Sequence, residues 1–360
     1  MSKSNIYMIL TNSFDPDVRV YKEAKYLAEQ GFNIEILCWD RKCEYKTEEN
    51  IGEIKIRRFH ILSKPGTGLK QLGAYIKFIT SVRKFLKNKE YKYLHCHDFD
   101  GILAGLLTKD IRKCKLIFDM HEIYAHYAYA KNIFFNIIFK YVLRKSNYII
   151  YVNNQQINHF SDKNKKKLIY LPNYPELEYY DPIKKNEGKK IRINYIGSLR
   201  DYDSLKALAE TAIKNSQFEI GLYGTGICYD RLKQEYENKK IAIYGKYDGI
   251  KDSGNIYRNT DILYCVYNPE IENWKNAYPV KLFEAIITET PIIVAENTEA
   301  GNFVNKHFIG MSVKYGDVKK LQEAIEYIKE NYNKFKQSIK KISNNYNWEE
   351  IVKELEIIYN

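Results

Sequence analysis

The chain has 360 residues, of which 45% are hydrophobic and 28% are charged, as in ordinary folded proteins. This length exceeds one ordinary core and predicts two domains. No run of about 18 uncharged apolar residues occurs, and no opening stretch has the pattern of a signal peptide, so we expect a cytoplasmic protein. The six cysteines are scattered, which argues against a zinc site and for reduced thiols.

The net charge of +12 is concentrated in the first half of the chain. Residues 1–170 contain 30 Lys and Arg against 17 Asp and Glu, whereas residues 171–360 contain 27 against 28. Within the basic half, residues 69–92 mix apolar residues with Lys and Arg at helical spacing. This segment is predicted either to be a solvated basic helix or to lie on an anionic membrane surface. No nucleic-acid motif accompanies the basic charge, so we expect no nucleic-acid partner.

Short apolar runs alternate with helical segments over residues 1–170, which predicts a Rossmann-like, doubly wound α/β domain. The predicted strands are 5–11, 33–39, 53–59, 91–96, 115–120 and 147–152. Ligands bind beyond the carboxyl ends of strands in open parallel sheets. Candidate residues follow three of these strand ends: Asp15 and Arg19, then His97 and Asp98, then His121 and Glu122.

The loop HCHDFDG is the strongest candidate in this half. Strand alternation points His95 and His97 to the same side, and a carboxylate beside the imidazole of His97 holds one tautomer. The neighbouring strand end contributes His121 and Glu122, so we predict one polar pocket that recognises hydroxyl groups. These residues lack the spacing of a metal-ligand set, and we predict no metal.

The loop that follows the first predicted strand allows two interpretations equally well. The stretch from Asp15 to Arg19 is either a turn followed by a charged helix start or an anion site at a helix N-terminus.

Residues 171–190 contain three prolines and no periodicity, which predicts an interdomain linker. The alternation resumes over 191–344 and predicts a second Rossmann-like domain. Its predicted strands are 191–197, 218–224, 241–245, 261–267 and 291–295. Residues 345–360 are predicted to form a C-terminal helix that packs back on the first domain.

Two strand-to-helix turns of the second domain contain glycines. Gly197 and Ser198 follow its first strand, and Gly224 and Gly226 follow its second. Glycines at such turns let main-chain N–H groups approach an oxyanion. The G-x-G-x-x-G fingerprint fails because Tyr229 occupies the third glycine position, and no Walker A motif occurs. A nicotinamide dehydrogenase and a P-loop enzyme are therefore disfavoured.

The segment NAYPVKLFEAI, residues 276–286, places a cation at a helix start. Pro279 suits the beginning of a helix, and Lys281 then lies in the first turn, where the helix dipole disfavours positive charge. Glu284 lies three residues on, on the same helix face. Either the two form an ordinary ion pair, or Lys281 binds phosphate and Glu284 accepts hydrogen bonds from sugar hydroxyls.

The order of these motifs resembles that of the GT-B fold glycosyltransferases of the large retaining group, family 4, over nearly the full length. The matching segments include HCHDFDGILAGLL, LIFDMHEIY, YIGSLRDYDSL, LYGTG and YPVKLFEAIITETPIIVA. The resemblance implies two Rossmann-like domains facing across a cleft. It also implies a nucleotide-sugar donor on the second domain and an acceptor on the first.

The resemblance also implies roles for individual residues. Glu284 binds the ribose of the donor, Arg200 and Lys281 bind its phosphates, and His97 lies near the donor sugar. Many relatives carry a second glutamate eight residues before Glu284, where this chain has Asn276, so sugar specificity is not inherited. The predicted catalytic residues are His97, Arg200 and Lys281. The predicted donor-binding residues are Gly197, Ser198, Gly224, Gly226, Lys246, Leu282 and Glu284. The predicted acceptor or sugar pocket comprises Asp15, Arg19, Asp98, His121 and Glu122.

The implied activity is that of a metal-independent retaining glycosyltransferase without a cofactor. It would move a sugar from a nucleotide-diphosphate sugar to a glycan or lipid-linked acceptor in surface polysaccharide or glycoconjugate biosynthesis, peripherally on the inner face of the cell membrane. Two alternatives remain. One is a nucleotide-sugar 2-epimerase of the same fold, and the other is a non-catalytic nucleotide-sugar or glycan-binding module.

Overall fold

The structure is a computed structural model. It describes residues 4–15, 17–64, 71–108, 114–121, 132–154, 157, 160–180, 185, 190–236, 239, 241–249 and 251–360. The chain divides into two compact units. The first comprises Met1–Pro172 together with Val352–Asn360, and the second comprises Asn173–Ile351. Both units are α/β with a largely parallel sheet, so the predicted fold class is confirmed.

The first unit contains an eight-stranded sheet. Its strands are β1 (Asn5–Leu10), β2 (Asn33–Asp40), β3 (Glu48–Ile51), β4 (Ile54–His60), β5 (Tyr93–His97), β6 (Lys115–Met120), β7 (Tyr148–Tyr151) and β8 (Leu168–Tyr170). The order is β3-β4-β2-β1-β5-β6-β7-β8, and all pairs are parallel except β3 with β4. The sequence did not predict β3, which is mostly exposed, or the three-residue β8.

Helices cover the strands of this sheet. They are α1 (Val18–Glu29), α2 (Leu72–Leu86), α3 (Asp98–Thr108), α4 (Ile133–Lys145) and α5 (Asp162–Lys165). Helix α1 begins where the Asp17 side chain accepts a hydrogen bond from the Val20 N–H at 3.3 Å, an ordinary N-cap. Helix α3 lies very close to β1, because a Cβ on Gly101 would stand 2.9 Å from the Ile9 carbonyl oxygen.

The order of the first sheet reverses between β1 and β5. Strand β2 flanks β1 on one side and β5 flanks it on the other, so the loops that follow β1 and β5 leave in opposite directions and open a crevice. His97 is the last residue of β5. Asp98 follows it in the left-handed region at φ 60°, which Asp tolerates better than most residues. The chain therefore turns sharply at the crevice.

The second unit contains a six-stranded parallel sheet. Its strands are β9 (Ile191–Ile196), β10 (Phe218–Tyr223), β11 (Ile241–Gly245), β12 (Ile262–Cys265), β13 (Ile292–Ala295) and β14 (Gly310–Val313). The order is β11-β10-β9-β12-β13-β14. It reverses between β9 and β12, so the loops after these two strands border the crevice of this sheet. The sequence did not predict β14, whose four residues, GMSV, are only half apolar.

The helices of the second unit are α6 (Tyr202–Lys214), α7 (Tyr229–Tyr236), α8 (Ser253–Arg258), α9 (Glu272–Lys275), α10 (Val280–Ile287), α11 (Glu299–His307), α12 (Val318–Glu330), α13 (Tyr332–Ile342) and α14 (Trp348–Ile351). The last helix, α15 (Glu356–Tyr359), belongs to the first unit. Residues 173–180, within the predicted linker, belong to the second unit. Within the described ranges, no helix combines the length and hydrophobicity that a bilayer span requires.

Candidate functional site

A buried ion network lies at the crevice of the first sheet. The carboxylate of Asp119, near the end of β6, accepts hydrogen bonds from Arg19 Nε at 3.1 Å and Nη2 at 2.9 Å. Arg19 also donates to the Leu171 carbonyl at 2.9 Å and lies 3.1 Å from Glu23 Oε1. Because the guanidinium is 5% exposed and fully engaged, Arg19 holds the first unit together. The prediction that it lines a sugar pocket is not supported.

His121 completes the network as a cation. Its Nε2 lies 2.9 Å from Asp119 Oδ2 and its Nδ1 lies 3.3 Å from Asp98 Oδ2. Burial lowers the pKa of His121, but Asp119 and Asp98 outweigh burial and raise this pKa to about 9. At neutral pH the imidazolium therefore donates a hydrogen bond to Asp119 and forms an ion pair with Asp98.

His97 presents one unpartnered nitrogen. Burial lowers the pKa of His97, and the bond to Asp119 only partly offsets this, so the ring is neutral at pH 7. Its Nδ1 lies 3.1 Å from Asp119 Oδ2, and a carboxylate accepts, so the network assigns the proton to Nδ1. Nε2 is then a bare acceptor, buried and without a hydrogen-bond partner among the described residues. Such an atom suits a ligand hydroxyl.

Behind His97 lies a second buried layer. The ring of His95 stacks on that of His97 with centroids 4.4 Å apart, which confirms that the two point to the same side. His95 Nδ1 lies 2.8 Å from the hydroxyl of Tyr359, and its Nε2 lies 3.5 Å from Glu23 Oε2. Burial, together with Asp119, raises the pKa of Glu23 well above its usual range, and burial lowers the pKa of His95. Burial therefore favours the neutral form of both groups.

Four of these side chains are of metal-ligating type. Ligand atoms of Glu23, His95, His97 and Asp119 lie within 4.8 Å of one another. Arg19 lies against the carboxyl groups of Glu23 and Asp119 and supplies the positive charge that a metal ion would contribute. We therefore keep the prediction that this group binds no metal.

The remaining predicted residues of the first unit are Asp98, Asp15 and Glu122. Asp98 borders the network, with 41% of its side chain exposed. Asp15 is exposed, and its hydrogen bond raises the pKa of Tyr45 to about 12. Glu122 lies outside the described residues. Sequence reasoning missed Asp119, although a carboxylate in the buried strand KLIFDM was a usable signal. It had no signal for Tyr359.

In the second unit, glycine turns follow β9 and β10. Gly197 (φ 155°) and Gly224 (φ 135°) have backbones that L side chains rarely adopt, and a Cβ on Gly224 would overlap the Gly197 carbonyl. Their own N–H groups donate to the Tyr223 and Gly245 carbonyls. Among the described residues, the N–H groups of Ser198 and Thr225 have no partner. The glycines therefore shape the turns, and the residues after them present the free donors.

These turns border two adjoining cavities. The first, of about 370 Å³, is lined by Gly197, Ser198, Gly224, Thr225, Lys246, Tyr247 and Gly249. The second, of about 270 Å³, is lined by Ile196, Gly197, Arg200, Tyr267, Trp274, Ala277, Pro279, Val280 and Lys281. The structure thus brings together most of the predicted donor-binding residues of this unit. Sequence reasoning missed Tyr247, Tyr267 and Trp274, since aromatic residues are common in cores as well as in sites.

Two cations approach the second cavity. Arg200 is exposed, and its guanidinium carbon stands 5.6 Å from the centre of the Trp274 ring, a cation–π distance. Lys281 bonds to Glu284, with Nζ 2.9 and 2.7 Å from the two carboxylate oxygens. Burial lowers the pKa of Lys281, but Glu284 and Tyr247 outweigh burial and raise it. Lys281 is therefore a cation.

Three predicted donor-binding residues do not line these cavities: Gly226, Leu282 and Glu284. Glu284 pairs with Lys281, which does line the second cavity. Leu282 is fully buried in the core, and its N–H donates to the Pro279 carbonyl at 2.9 Å. Gly226 packs against Leu199, whose backbone a Cβ would overlap. Leu282 and Gly226 are therefore engaged in packing, and their assignment to donor binding stays a prediction.

A larger cavity, of about 1050 Å³, lies along β9, β10 and β11. Lys246 and Tyr247 are the residues it shares with the smaller cavities. We assign the site to the smaller cavities because they contain the free N–H groups and Lys281, and because they lie at the ends of the strands.

Comparison with known proteins agrees with the fold. Residues 17–174 match the model of Glycosyltransferase Family 4, and none of the curated proteins compared matches the sequence. Sucrose-phosphate synthase from Thermosynechococcus elongatus is similar in structure, with TM-score 0.79 and 14% identity over 99% of this chain and 98% of that one. A glycosyltransferase from Rickettsia africae has TM-score 0.73 and 15% identity over 100% and 98%. HepE from Anabaena, in complex with UDP and glucose, has TM-score 0.67 and 13% identity over 98% of each chain.

Proposed function

We propose that this chain, which has the GT-B fold and a confirmed resemblance to family 4 glycosyltransferases, transfers a sugar from a nucleotide-diphosphate sugar to a glycan or lipid-linked acceptor. The observation that carries the proposal is the cavity at the crevice of the second sheet. There Arg200 and Lys281 approach one space beside the Gly197 turn. Two cations and free main-chain N–H groups suit a diphosphate.

The diphosphate is the leaving group of the proposed reaction. The bond between the anomeric carbon and the phosphate oxygen breaks, and a bond to the acceptor oxygen forms on the same face of the sugar, so configuration is retained. The proton of the acceptor hydroxyl passes to the departing phosphate oxygen. Arg200, Lys281 and the N–H groups of Ser198 and Thr225 stabilise the negative charge that develops. We therefore expect transfer without a metal ion.

Glu284 is assigned to the ribose. Its side chain is 7% exposed and already accepts from Lys281, so the carboxylate is held in one orientation. A carboxylate has further lone pairs for the ribose hydroxyls. One residue pair on α10 thus serves both the phosphates and the ribose.

Recognition of the donor sugar is assigned to the start of α9. Asn276 stands where many relatives carry a glutamate, and its Nδ2 lies 2.9 Å from Oε2 of Glu272. The amide therefore holds an exposed carboxylate one helical turn earlier in the chain. We expect this carboxylate to accept hydrogen bonds from the sugar hydroxyls.

The acceptor side is assigned to the first unit. His97 offers a bare nitrogen that accepts a hydroxyl proton, and the carboxylate of Asp98 lies beside the His121 imidazolium. These groups suit a polyhydroxylated substrate.

Nucleotide release tests the proposal. The chain is incubated with a panel of nucleotide-diphosphate sugars, first alone and then with soluble glycans or with lipid-linked sugars in vesicles. We expect nucleoside diphosphate and a glycosylated product with retained configuration, unchanged by EDTA. An exposed lysine of α9, in the variant Lys275→Met, serves as control for Lys281→Met, which should lose turnover. Release of a free epimer without acceptor, or binding without turnover across the panel, would overturn the proposal.

A further inference from the structure

Helix α4 exposes an apolar stripe that the proposed reaction does not use. The exposed side chains are Ile133 (67%), Phe134 (72%), Ile137 (59%), Ile138 (44%) and Tyr141 (44%). Their spacing of i, i+1, i+4, i+5 and i+8 makes one continuous face of the helix. Scattered single apolar residues are ordinary on a surface, whereas a contiguous patch marks an interaction site.

The same helix already buries its other face. Val142 and Leu143 are buried in the core of the first unit, and Phe135 and Phe139 pack against that core. At its start, the side chain of Asn132 accepts hydrogen bonds from the Phe134 and Phe135 N–H groups at 2.8 and 3.4 Å. The helix is therefore anchored, and the exposed stripe is held outward.

Basic residues border the stripe. Lys140, Arg144 and Lys145 are exposed, and α4 contains no acidic residue. Charged groups of Arg144 and Lys145 stand 5.5 and 5.6 Å from the centre of the Tyr141 ring. A tyrosine among cations at the edge of an apolar patch is typical of the boundary between lipid headgroups and acyl chains. The net charge of +13 over residues 1–170 agrees with an anionic partner.

The segment that the sequence favoured for this role uses its apolar residues elsewhere. In α2, which covers most of residues 69–92, Phe78, Val82 and Leu86 are buried in the core. Leu72 and Ile76 are the large aliphatic residues of α2 that are exposed. Helix α2 thus lacks a continuous free stripe, and α4 has one.

We propose that the exposed face of α4 docks on the surface of an anionic lipid bilayer. The apolar side chains enter the boundary between headgroups and acyl chains, and Lys140, Arg144 and Lys145 contact lipid phosphates. This inference is independent of the proposed transferase activity.

Flotation of the full chain with vesicles tests it. Vesicles of phosphatidylcholine alone are compared with vesicles that also contain phosphatidylglycerol, and we expect binding to the anionic vesicles. The double variant Phe134→Ser/Ile137→Ser should weaken binding by about thirtyfold or more, from the transfer cost of two large apolar side chains. The triple variant Lys140→Gln/Arg144→Gln/Lys145→Gln should weaken it by about a hundredfold.

Matched controls lie in the second unit. Ile213→Ser/Ile227→Ser removes exposed apolar side chains, and Lys319→Gln/Lys340→Gln/Lys341→Gln removes exposed cations. Both controls should bind like the wild type. All the replaced side chains are exposed, so circular dichroism should show unchanged folding.

Equal binding by the α4 variants and their controls would overturn the proposal. So would a change from dimer to monomer in the Phe134→Ser/Ile137→Ser variant without a change in flotation, because the stripe would then contact a second copy. Donor turnover measured without vesicles reports on the transferase activity alone. A failure of the membrane-docking proposal can therefore be told apart from a failure of the proposed transferase activity.

Discussion

Lys281 donates hydrogen bonds to both carboxylate oxygens of Glu284, at 2.9 and 2.7 Å, in the first turns of α10. The sequence left open whether this pair is an ordinary ion pair or a ligand site. The pair exists, and Lys281 also lines the cavity. A cation at a helix N-terminus is unfavourable by itself, so the neighbouring carboxylate stabilises it there, and a bound diphosphate would do so further.

Substitutions in this pair should separate phosphate binding from ribose binding. Lys281→Met should weaken the binding of a nucleoside diphosphate by about ten- to a hundredfold, because hydrogen bonds to charged groups contribute about 1.5 to 3 kcal/mol. It should weaken the binding of the nucleoside less, because the nucleoside has no phosphate for Lys281 to contact. Glu284→Gln should weaken the binding of both the nucleoside and the nucleoside diphosphate, because both contain the ribose. Calorimetry measures the affinities, and equal affinity of Glu284→Gln and wild type for the nucleoside would contradict the ribose assignment.

The carboxylate held by Asn276 should affect the sugar and not the nucleotide. We expect Glu272→Gln to raise KM for the nucleotide sugar or to lower kcat by about tenfold. Affinity for the free nucleoside diphosphate should stay unchanged. Glu270→Gln, another exposed acidic residue just before α9, is the control. A parallel loss of diphosphate affinity in Glu272→Gln would show that Glu272 does not discriminate the sugar.

The His121 imidazolium predicts a pH-dependent stability. Its pKa of about 9 in the folded chain lies above the ordinary value of 6.5, so its stabilisation is complete below about pH 6.5 and is lost as pH rises through about 9. The loss should be about 3 kcal/mol of unfolding free energy. Urea unfolding of wild type and His121→Asn, at about pH 6 and about pH 9.5, measures it.

The difference in unfolding free energy between the wild type and His121→Asn should therefore shrink as pH rises. His60→Asn removes a more exposed histidine that lies 3.5 Å from Asp40, and it controls for the loss of a surface imidazole. A wild-type advantage over His121→Asn that is the same at both pH values would contradict a folded-state imidazolium.

The C-terminus should contribute to the stability of the first unit through Tyr359. Its hydroxyl and His95 Nδ1 lie 2.8 Å apart in the core, so Tyr359→Phe leaves a buried nitrogen unpaired and should cost about 1 to 3 kcal/mol. Tyr26→Phe removes an exposed hydrogen bond to Glu356 on the same segment and should cost less than about 1 kcal/mol. Urea unfolding measures the loss of unfolding free energy in both variants. Equal losses in Tyr359→Phe and Tyr26→Phe would contradict the expectation that the buried hydrogen bond contributes more than the exposed one.

Most strands were predictable because a buried parallel strand is a short apolar run, and KLIFDM or PIIVA stands out from its surroundings. Strands β3 and β14 were missed because an exposed edge strand and a short, half-apolar one lack that run. The glycine turns at Gly197 and Gly224 were predictable for a related reason, since only glycine adopts their backbone cheaply. The burial of Leu282 beside the cavity-lining Lys281 was not predictable, because neighbouring residues of one helix face opposite environments.

The alternation of strands and helices, the two α/β units and the turns at the strand ends follow directly from the sequence, because each depends on residues close together in the chain. Contacts between distant side chains depend instead on how the whole chain packs. Arg19 and Asp119 are 100 residues apart, and their pairing makes Arg19 a structural residue. Packing of the whole chain also buries the apolar side chains of α2 and leaves an apolar stripe of α4 exposed. Periodicity shows that a helix has an apolar face, whereas the neighbours that cover this face depend on how the whole chain packs.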